Sequence, residues 1–417
     1  MKRGIFMPGF TTHYILGMKA YNDLPQTSLK FIIAKYRWLY QLGLQGPDIF
    51  FYNLPILRHR DHRNVGSYMH EHRVNDFFRC CFTRLSTINS RQQREAGLAY
   101  VCGFLGHYVG DSVCHPYVYG RIEYDINHPG TYYHGLHAQL ENDLDALLLK
   151  KYKKKKPSQF NQAATICLNG METQFISGFL SQCINEVYYP LSYHNNYQVT
   201  ARMIHRSILA IRFGCRTLSD PRGKKKDKIA FFESIFLKNP VASTKLVTDT
   251  VENPAWSLNL AHDTWCNPWE KRIASKASFP DLFKQSLSRL STIYYLINSM
   301  LDGTPSLDAA TFERLMAEIG NYSYHSGLPC REVFSILLLP SAFFFQILPR
   351  ILKEAPHNQN HNKPDGKGGD NGHRLQIRHR TLRKNQGNGK EHQHQGPEQL
   401  HPPVRLLVRI QGLVGVG

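Results

Sequence analysis

Apolar residues recur at intervals of three and four through most of the first 320 positions of this 417-residue chain. That spacing lays one face of a helix against a core. It predicts helices over 13–24, 28–43, 68–85, 91–115, 133–152, 158–168, 172–188 and 197–216. Gly and Pro punctuate the gaps, as in Gly46-Pro47 and Pro129-Gly130. A second helical set is expected over 228–238, 280–302 and 307–321. The last two form a hairpin, with Pro280 in the first turn and Gly303 just past the end. Strand-like alternation is scarce, so the expected fold class is all-α, a multi-helix bundle.

The pattern changes near Cys330. Segment 331–353 is apolar with internal prolines, and from 355 onward the chain is His, Asn, Gln, Gly, Lys and Arg with few aromatics. Such a composition cannot bury enough surface to fold alone, so 331–417 is expected to be a disordered, low-complexity tail. Its histidines (His357, His361, His373, His379, His392, His394, His401) bind metal only adventitiously on this reading. The expected organisation is a helical domain over 7–216, a further helical region of unknown role over 217–330, and the tail.

Composition adds a question of partners. The formal charge is +19, of which the tail from Ala355 carries +6. Two clusters, Lys150 to Lys156 and Arg222 to Lys226, supply much of the rest and read as exposed loops. They are either solvated surface or contacts for something anionic, such as nucleic acid, a membrane surface or a phosphorylated substrate. Nine scattered cysteines without a CxxC pair point to a reducing, cytoplasmic setting. The start lacks a secretory pattern and no stretch reaches the roughly 20 apolar residues of a membrane span, so a soluble protein is expected.

The chemistry lies in histidines and carboxylates spaced four apart inside predicted helices. His107, Asp111 and His115 project as one row, and His137 and Glu141 as another. Two such rows facing each other can hold a zinc cluster within a bundle, because a hydrophobic interior has little other reason to bury imidazoles with carboxylates. Three further segments stand out. They are Met7-Pro8-Gly9-Phe10-Thr11-Thr12-His13-Tyr14, Gly46-Pro47-Asp48-Ile49-Phe50-Phe51-Tyr52 and Gly66-Ser67-Tyr68-Met69-His70-Glu71-His72. Tyr14, Tyr108, Phe50 and Phe51 read as core packing.

In order, these are an early His, an Asp, a His, a His-x3-Asp with a later His, and a His-x3-Glu. Over residues 7–190 that order resembles the zinc-dependent phospholipase C family, whose superfamily also contains zinc-dependent single-strand nucleases. The resemblance implies two or three zinc ions per chain. Asp48, His70, His107 and Asp111 would hold one; His115, His137 and Glu141 a second with an open position. His13 and a bridging Asp111 would help hold a third. His72 stands as an alternative to His70, and His134 to His137. Secreted members complete the third site with the amino group of a processed N-terminal Trp, for which this start has no counterpart. A chain begun at Met7 and trimmed to Pro8 would offer an amino-terminal Pro there.

The expected reaction is hydrolysis of a phosphodiester by metal-activated water, with Asp48 as the catalytic proton acceptor. The chain has no G-x-S-x-G elbow, P-loop or dinucleotide fingerprint. Three readings remain. The first is a phospholipase C-like hydrolase acting on a phospholipid headgroup or a related phosphodiester, with peripheral contact to anionic membrane through the basic clusters. The second is a nuclease using the same cluster, with Tyr117, Tyr119, Tyr132 and Tyr133 as candidate base-stacking groups. The third is a non-catalytic helical scaffold that binds little metal. Oligomeric state is left open.

Overall fold

The computed structural model describes residues 9–53, 64–192, 196–237, 242–302 and 309–330. α1 (Phe10–Asp23) begins after Gly9, whose φ of 101° a side chain would strain. The cap of α1 comes from elsewhere: Thr11 and Thr12 amides donate to the Asp145 carboxylate at 3.0 and 2.7 Å. α2 (Ser28–Lys35) is capped by Thr27, and α3 (Arg37–Gly43) follows. Tyr36, at φ −111° and ψ 40°, breaks the single helix expected over 28–43. A 3-10 turn spans Gly46–Tyr52.

α4 (Val65–Glu71) and α5 (Val74–Thr87) replace the helix expected over 68–85. Arg73 takes φ 51° between them, and the Asn321 carboxamide oxygen accepts from the Val74 and Asn75 amides. The break is therefore set by a cap from a distant loop, which local spacing cannot announce.

α6 (Arg91–Arg121) runs six residues past its expected end at His115, straight through Pro116. Proline removes one ladder bond and frees the Ser112 carbonyl. Gly327, at φ 63°, packs against that carbonyl so closely that a Cβ would sit 2.5 Å from it. α7 is Thr131–Lys153. The helix expected over 158–168 is instead two short 3-10 turns, Pro157–Gln159 and Gln162–Thr165, the second started by the Asn161 side chain.

α8 (Gly170–Tyr188) opens with an Asn169/Glu172 capping box, and α9 (Ala201–Thr217) is capped by Thr200. α10 (Lys224–Phe236) and the short α11 (Pro254–Leu258) follow. β1 (Trp265–Asn267) and β2 (Glu270–Ser275) form an antiparallel pair that the hydrophobic pattern did not announce. α12 (Phe279–Asp302) and α13 (Ala309–Ile319) complete the order. The basic clusters are not both loops. Lys150, Lys151 and Lys153 end α7, where cations suit the helix dipole, and Lys224 to Lys226 begin α10. The 303–308 connection and the expected tail beyond 330 lie outside the described residues.

The bundle is all-α apart from that one small sheet, among the described residues. At its centre α6 is buried on every side from Ala96 to Tyr119, so it has no polar stripe. α3 crosses it backbone to backbone: a Cβ on Gly103 would lie 2.0 Å from the Tyr40 carbonyl, and one on Gly43 2.2 Å from that of Tyr100. α12 packs along α6 through Leu282, Phe283, Leu290, Ile293 and Ile297, spaced as one helix face. Tyr294 on that face donates to the Cys102 carbonyl at 2.8 Å, tying α12 to α6. No described helix is long and apolar enough to cross a membrane.

Gly103→Ala should separate α3 from α6 and cost about 2 kcal/mol or more, read from urea unfolding. Gly178 in α8, where a Cβ meets nothing within 4 Å, is the control. Gly178→Ala should instead stabilise by roughly 0.5–1 kcal/mol.

Candidate metal centre

Four segments converge on the middle of α6. His107, Asp111 and His115 project from that helix on one face, despite the intervening approach to Pro116. α1 brings His13, the 3-10 turn brings Asp48, α4 brings His70, and α7 brings His137 and Glu141. All eight side chains are buried. Their donor atoms form three groups, each within 4.8 Å: His13, His107 and Asp111; Asp48, His70 and His107; His115, His137 and Glu141. His72 and His134 join none of these; the His72 ring lies on Tyr68 at 4.5 Å.

Asp111 is the hub. Its Oδ1 lies 3.1 Å from His13 Nε2 and 3.6 Å from His115 Nε2. Its Oδ2 lies 3.0 Å from His107 Nε2 and 3.7 Å from His70 Nε2. One carboxylate thus faces two groups of imidazoles, as a carboxylate bridging two cations must. Glu141 repeats the arrangement on a smaller scale, at 3.0 Å from His115 Nε2 and 3.1 Å from His137 Nε2.

Close backbone approach makes this possible. Gly46, at φ 47°, passes over the His107 ring where a Cβ would sit 2.2 Å from Cδ2, and so delivers Asp48 two residues later. Three imidazoles are then oriented by backbone carbonyls. His70 Nδ1 donates to Gly66 at 2.7 Å, His107 Nδ1 to Leu44 at 3.3 Å, and His115 Nδ1 to Tyr324 at 2.9 Å. A carbonyl can only accept, so each Nδ1 carries a proton and each Nε2 is turned inward; that of His115 meets the Glu141 carboxylate at 3.0 Å and must lose its proton before it could hold a metal.

The donor set fits zinc by its unsatisfied atoms. Asp48 Oδ1, His70 Nε2, His107 Nε2, Asp111 Oδ2, His137 Nε2 and Glu141 Oε2 are buried without hydrogen-bond partners. Several of these nitrogens and oxygens lie about 3 Å apart yet are not aligned for a hydrogen bond, as in the His107–Asp111 pair. Orphaned buried polar atoms are costly, and a shared cation removes that cost. A cavity of ≈ 30 Å³ beside His13, Asp111, His115 and Glu141 has room for an ion or a water.

Charge in the metal-free cluster follows from the same contacts. Burial works against ionising Asp111, but His107, His115 and His13 outweigh it and hold its carboxyl well below the usual range. Glu141 is lowered in the same way by His137 and His115. Burial opposes charge on His115, yet Asp111 and Glu141 raise its pKa to about 9. His13 is raised against burial by Asp111, whereas burial lowers His107.

One site residue escaped the sequence reading. Loop 320–330 turns back on itself, with Ser323 N donating to Leu328 O and Cys330 N to Asn321 O. Tyr324 N donates to the His70 carbonyl at 2.9 Å, while the Tyr324 carbonyl holds His115. His325 then lies stacked over His70 at 5.0 Å and near His115 at 5.9 Å, partly exposed at the cluster's rim. Burial and the neighbouring His70 and His115 keep it well below the ordinary histidine pKa, so its ring is neutral. No spacing rule links position 325 to 107; only the closed loop does. Of the four tyrosines considered for base stacking, Tyr117 is core against Trp265 and Phe279, and Tyr119 packs on His137. Tyr132 is exposed, in edge contact with Tyr133.

The metal-free chain should bind about two or three zinc ions, and His107→Ala or Glu141→Ala should abolish the zinc-dependent rise in melting temperature. The His115 proton stabilises the metal-free fold fully below roughly pH 6.5, the unfolded value, and that contribution disappears as pH rises through about 9. Zinc requires the neutral ring, so binding at pH 7 should expel this proton, and apparent affinity should climb with pH toward 9. Calorimetry in buffers of different ionisation enthalpy counts the protons, and His115→Gln should remove about one.

Residues 12–189 match the family model described as zinc dependent phospholipase C. No curated protein and no solved structure matches the chain. The matched span contains every one of the eight converging side chains, from His13 to Glu141. On that match and that cluster, residues 12–189 of this chain are similar to the zinc-dependent phospholipase C family.

Proposed function

We propose that the chain is a zinc-dependent phosphodiester hydrolase acting on a phospholipid headgroup or a closely related phosphodiester. The observation that carries this reading is Asp111, buried among four imidazoles that turn Nε2 toward it. Zinc held by these groups supplies a Lewis acid for the phosphoryl oxygens and a bound water with a pKa near about 7. His70, His107, His115, His137, His13, Asp111 and Glu141 are assigned as ligands, and the Nδ1 contacts to Gly66, Leu44 and Tyr324 keep three of the rings oriented through turnover.

Asp48 is assigned a double part as ligand and proton acceptor. Its Oδ1 is 3.2 Å from His70 Nε2 and 3.8 Å from His107 Nε2, so it would border a metal held by those nitrogens and could take a proton from water bound there. His325, at the rim with its Nδ1 on the Tyr119 hydroxyl at 3.3 Å, is assigned to meet a substrate oxygen by hydrogen bonding. The setting we propose is cytoplasmic, on cysteine usage alone, with an inner-leaflet or soluble phosphodiester as substrate.

A chromogenic phosphocholine ester assayed beside single-stranded DNA tests the reading. Zinc-dependent turnover of the ester is expected, with kcat for Asp48→Asn lower by roughly 10²–10⁴ while zinc content stays within one ion of wild type. His325→Ala should raise KM with zinc content unchanged. Preferential cleavage of DNA would favour the nuclease reading, and a chain that takes up less than one zinc would be a scaffold.

A further inference from the structure

α10 is built with its polarity reversed. The side that meets the protein is Lys226, Ile229, Ala230 and Glu233, and only Glu233 is fully buried. Its carboxylate accepts from the Ala242 and Ser243 amides and from the Ser243 hydroxyl. The opposite side shows Phe231, Phe232, Ile235 and, just beyond the helix, Leu237, exposed by 64, 59, 57 and 49%. The two phenylalanine rings stand edge to face at 5.8 Å, making one continuous apolar surface. A surface helix ordinarily does the opposite, and contiguous exposed apolar groups mark an interaction surface.

Charge says what kind. Residues 222–228 hold five Lys/Arg and one Asp, and three of the lysines occupy the first turn of α10. That is the positive end of the helix dipole; the Asp220 carboxylate caps it by accepting from the Lys226 amide at 2.7 Å, and the lysines there still outnumber the acids. Lys226 is committed inward, donating to Gln139 Oε1 at 2.7 Å. This contact ties α10 to α7 between His137 and Glu141. Lys224, Lys225 and Lys228 stay exposed, Lys225 with its Nζ donating to the Ser219 carbonyl at 3.0 Å.

We infer that α10 is an interfacial anchor for an anionic phospholipid surface. Phe231, Phe232, Ile235 and Leu237 enter the boundary between headgroups and acyl chains, and the exposed lysines lie at the level of the phosphates. Apolar residues on one side and lysines clustered at one end are what an in-plane helix presents to such a surface. The inference rests on the phospholipid reading for its purpose, because it brings the α7 ligands to a lipid surface, but binding is measured without catalysis.

The experiment is cosedimentation of the full, zinc-loaded chain with vesicles of phosphatidylcholine alone or mixed with phosphatidylserine. Binding to the mixed vesicles is expected, weakened by salt, and reduced about tenfold or more by F231S/F232S/I235S and by K224E/K225E/K228E. Both variants should hydrolyse a soluble ester as wild type does. Equal sedimentation of wild type and the serine variant would overturn the inference. So would a concentration-dependent dimer that the serine variant abolishes, which would make a second copy the occupant. A lower melting temperature for that variant would likewise overturn it, since the face would then be covered by the chain itself. Vesicle binding without hydrolysis of any ester would support the anchor and overturn the hydrolase reading alone.

Discussion

One buried carboxylate organises this molecule. Asp111 sits in the middle of a helix with no solvent-facing side, and four imidazoles from three helices turn toward it. A lone carboxylate in such a place would be strongly destabilising. Here it is the reason that α1, α4 and α6 must meet where they do. Its oxygens face His13, His115, His107 and His70, and the same oxygens would hold a bound cation. The fold and the chemistry thus depend on one contact set, and losing it would remove both.

Around that centre the backbone does most of the positioning. Gly46 lets the turn bearing Asp48 pass over a histidine ring, Gly43 and Gly103 let α3 touch α6, and carbonyls of Gly66, Leu44 and Tyr324 orient three imidazoles. Asp145 caps α1 from α7 one turn past Glu141, so the helix that carries two ligand candidates also sets the entry angle of the helix that carries His13. Rigid backbone contacts of this kind have few alternative arrangements, which suits a site whose donor atoms must hold position to within a fraction of an ångström.

The region beyond 217 completes the site as well as the core. α12 packs along α6, and loop 320–330 lies against both ends of the cluster through Tyr324 and His325. The family match ends at 189, so this closure comes from a part of the chain outside the matched span. α10, anchored to α7 through Lys226, adds a surface whose apolar and basic groups are turned away from the core.

Much of this was legible locally. Helical periodicity marked most of the helices to within a few residues, because burying one face of a helix leaves a 3.6-residue imprint on the sequence. Five of the eight ligand candidates were legible for the same reason, since His107, Asp111 and His115 share one helix face and His137 and Glu141 another, whereas His13, Asp48 and His70 were implied only by the family resemblance. What could not be read were features imposed from a distance. The break at Arg73 depends on a cap from Asn321, the carbonyl freed at Pro116 is covered by Gly327, and the place of His325 depends on a closed loop more than 200 residues away from His107. Sequence by itself determined most of the helices and the two rows of candidate metal-binding side chains on them, because both follow from near-neighbour spacing. Only the tertiary structure decided where helices break and which imidazoles share a carboxylate, because those contacts join residues that have no fixed separation along the chain.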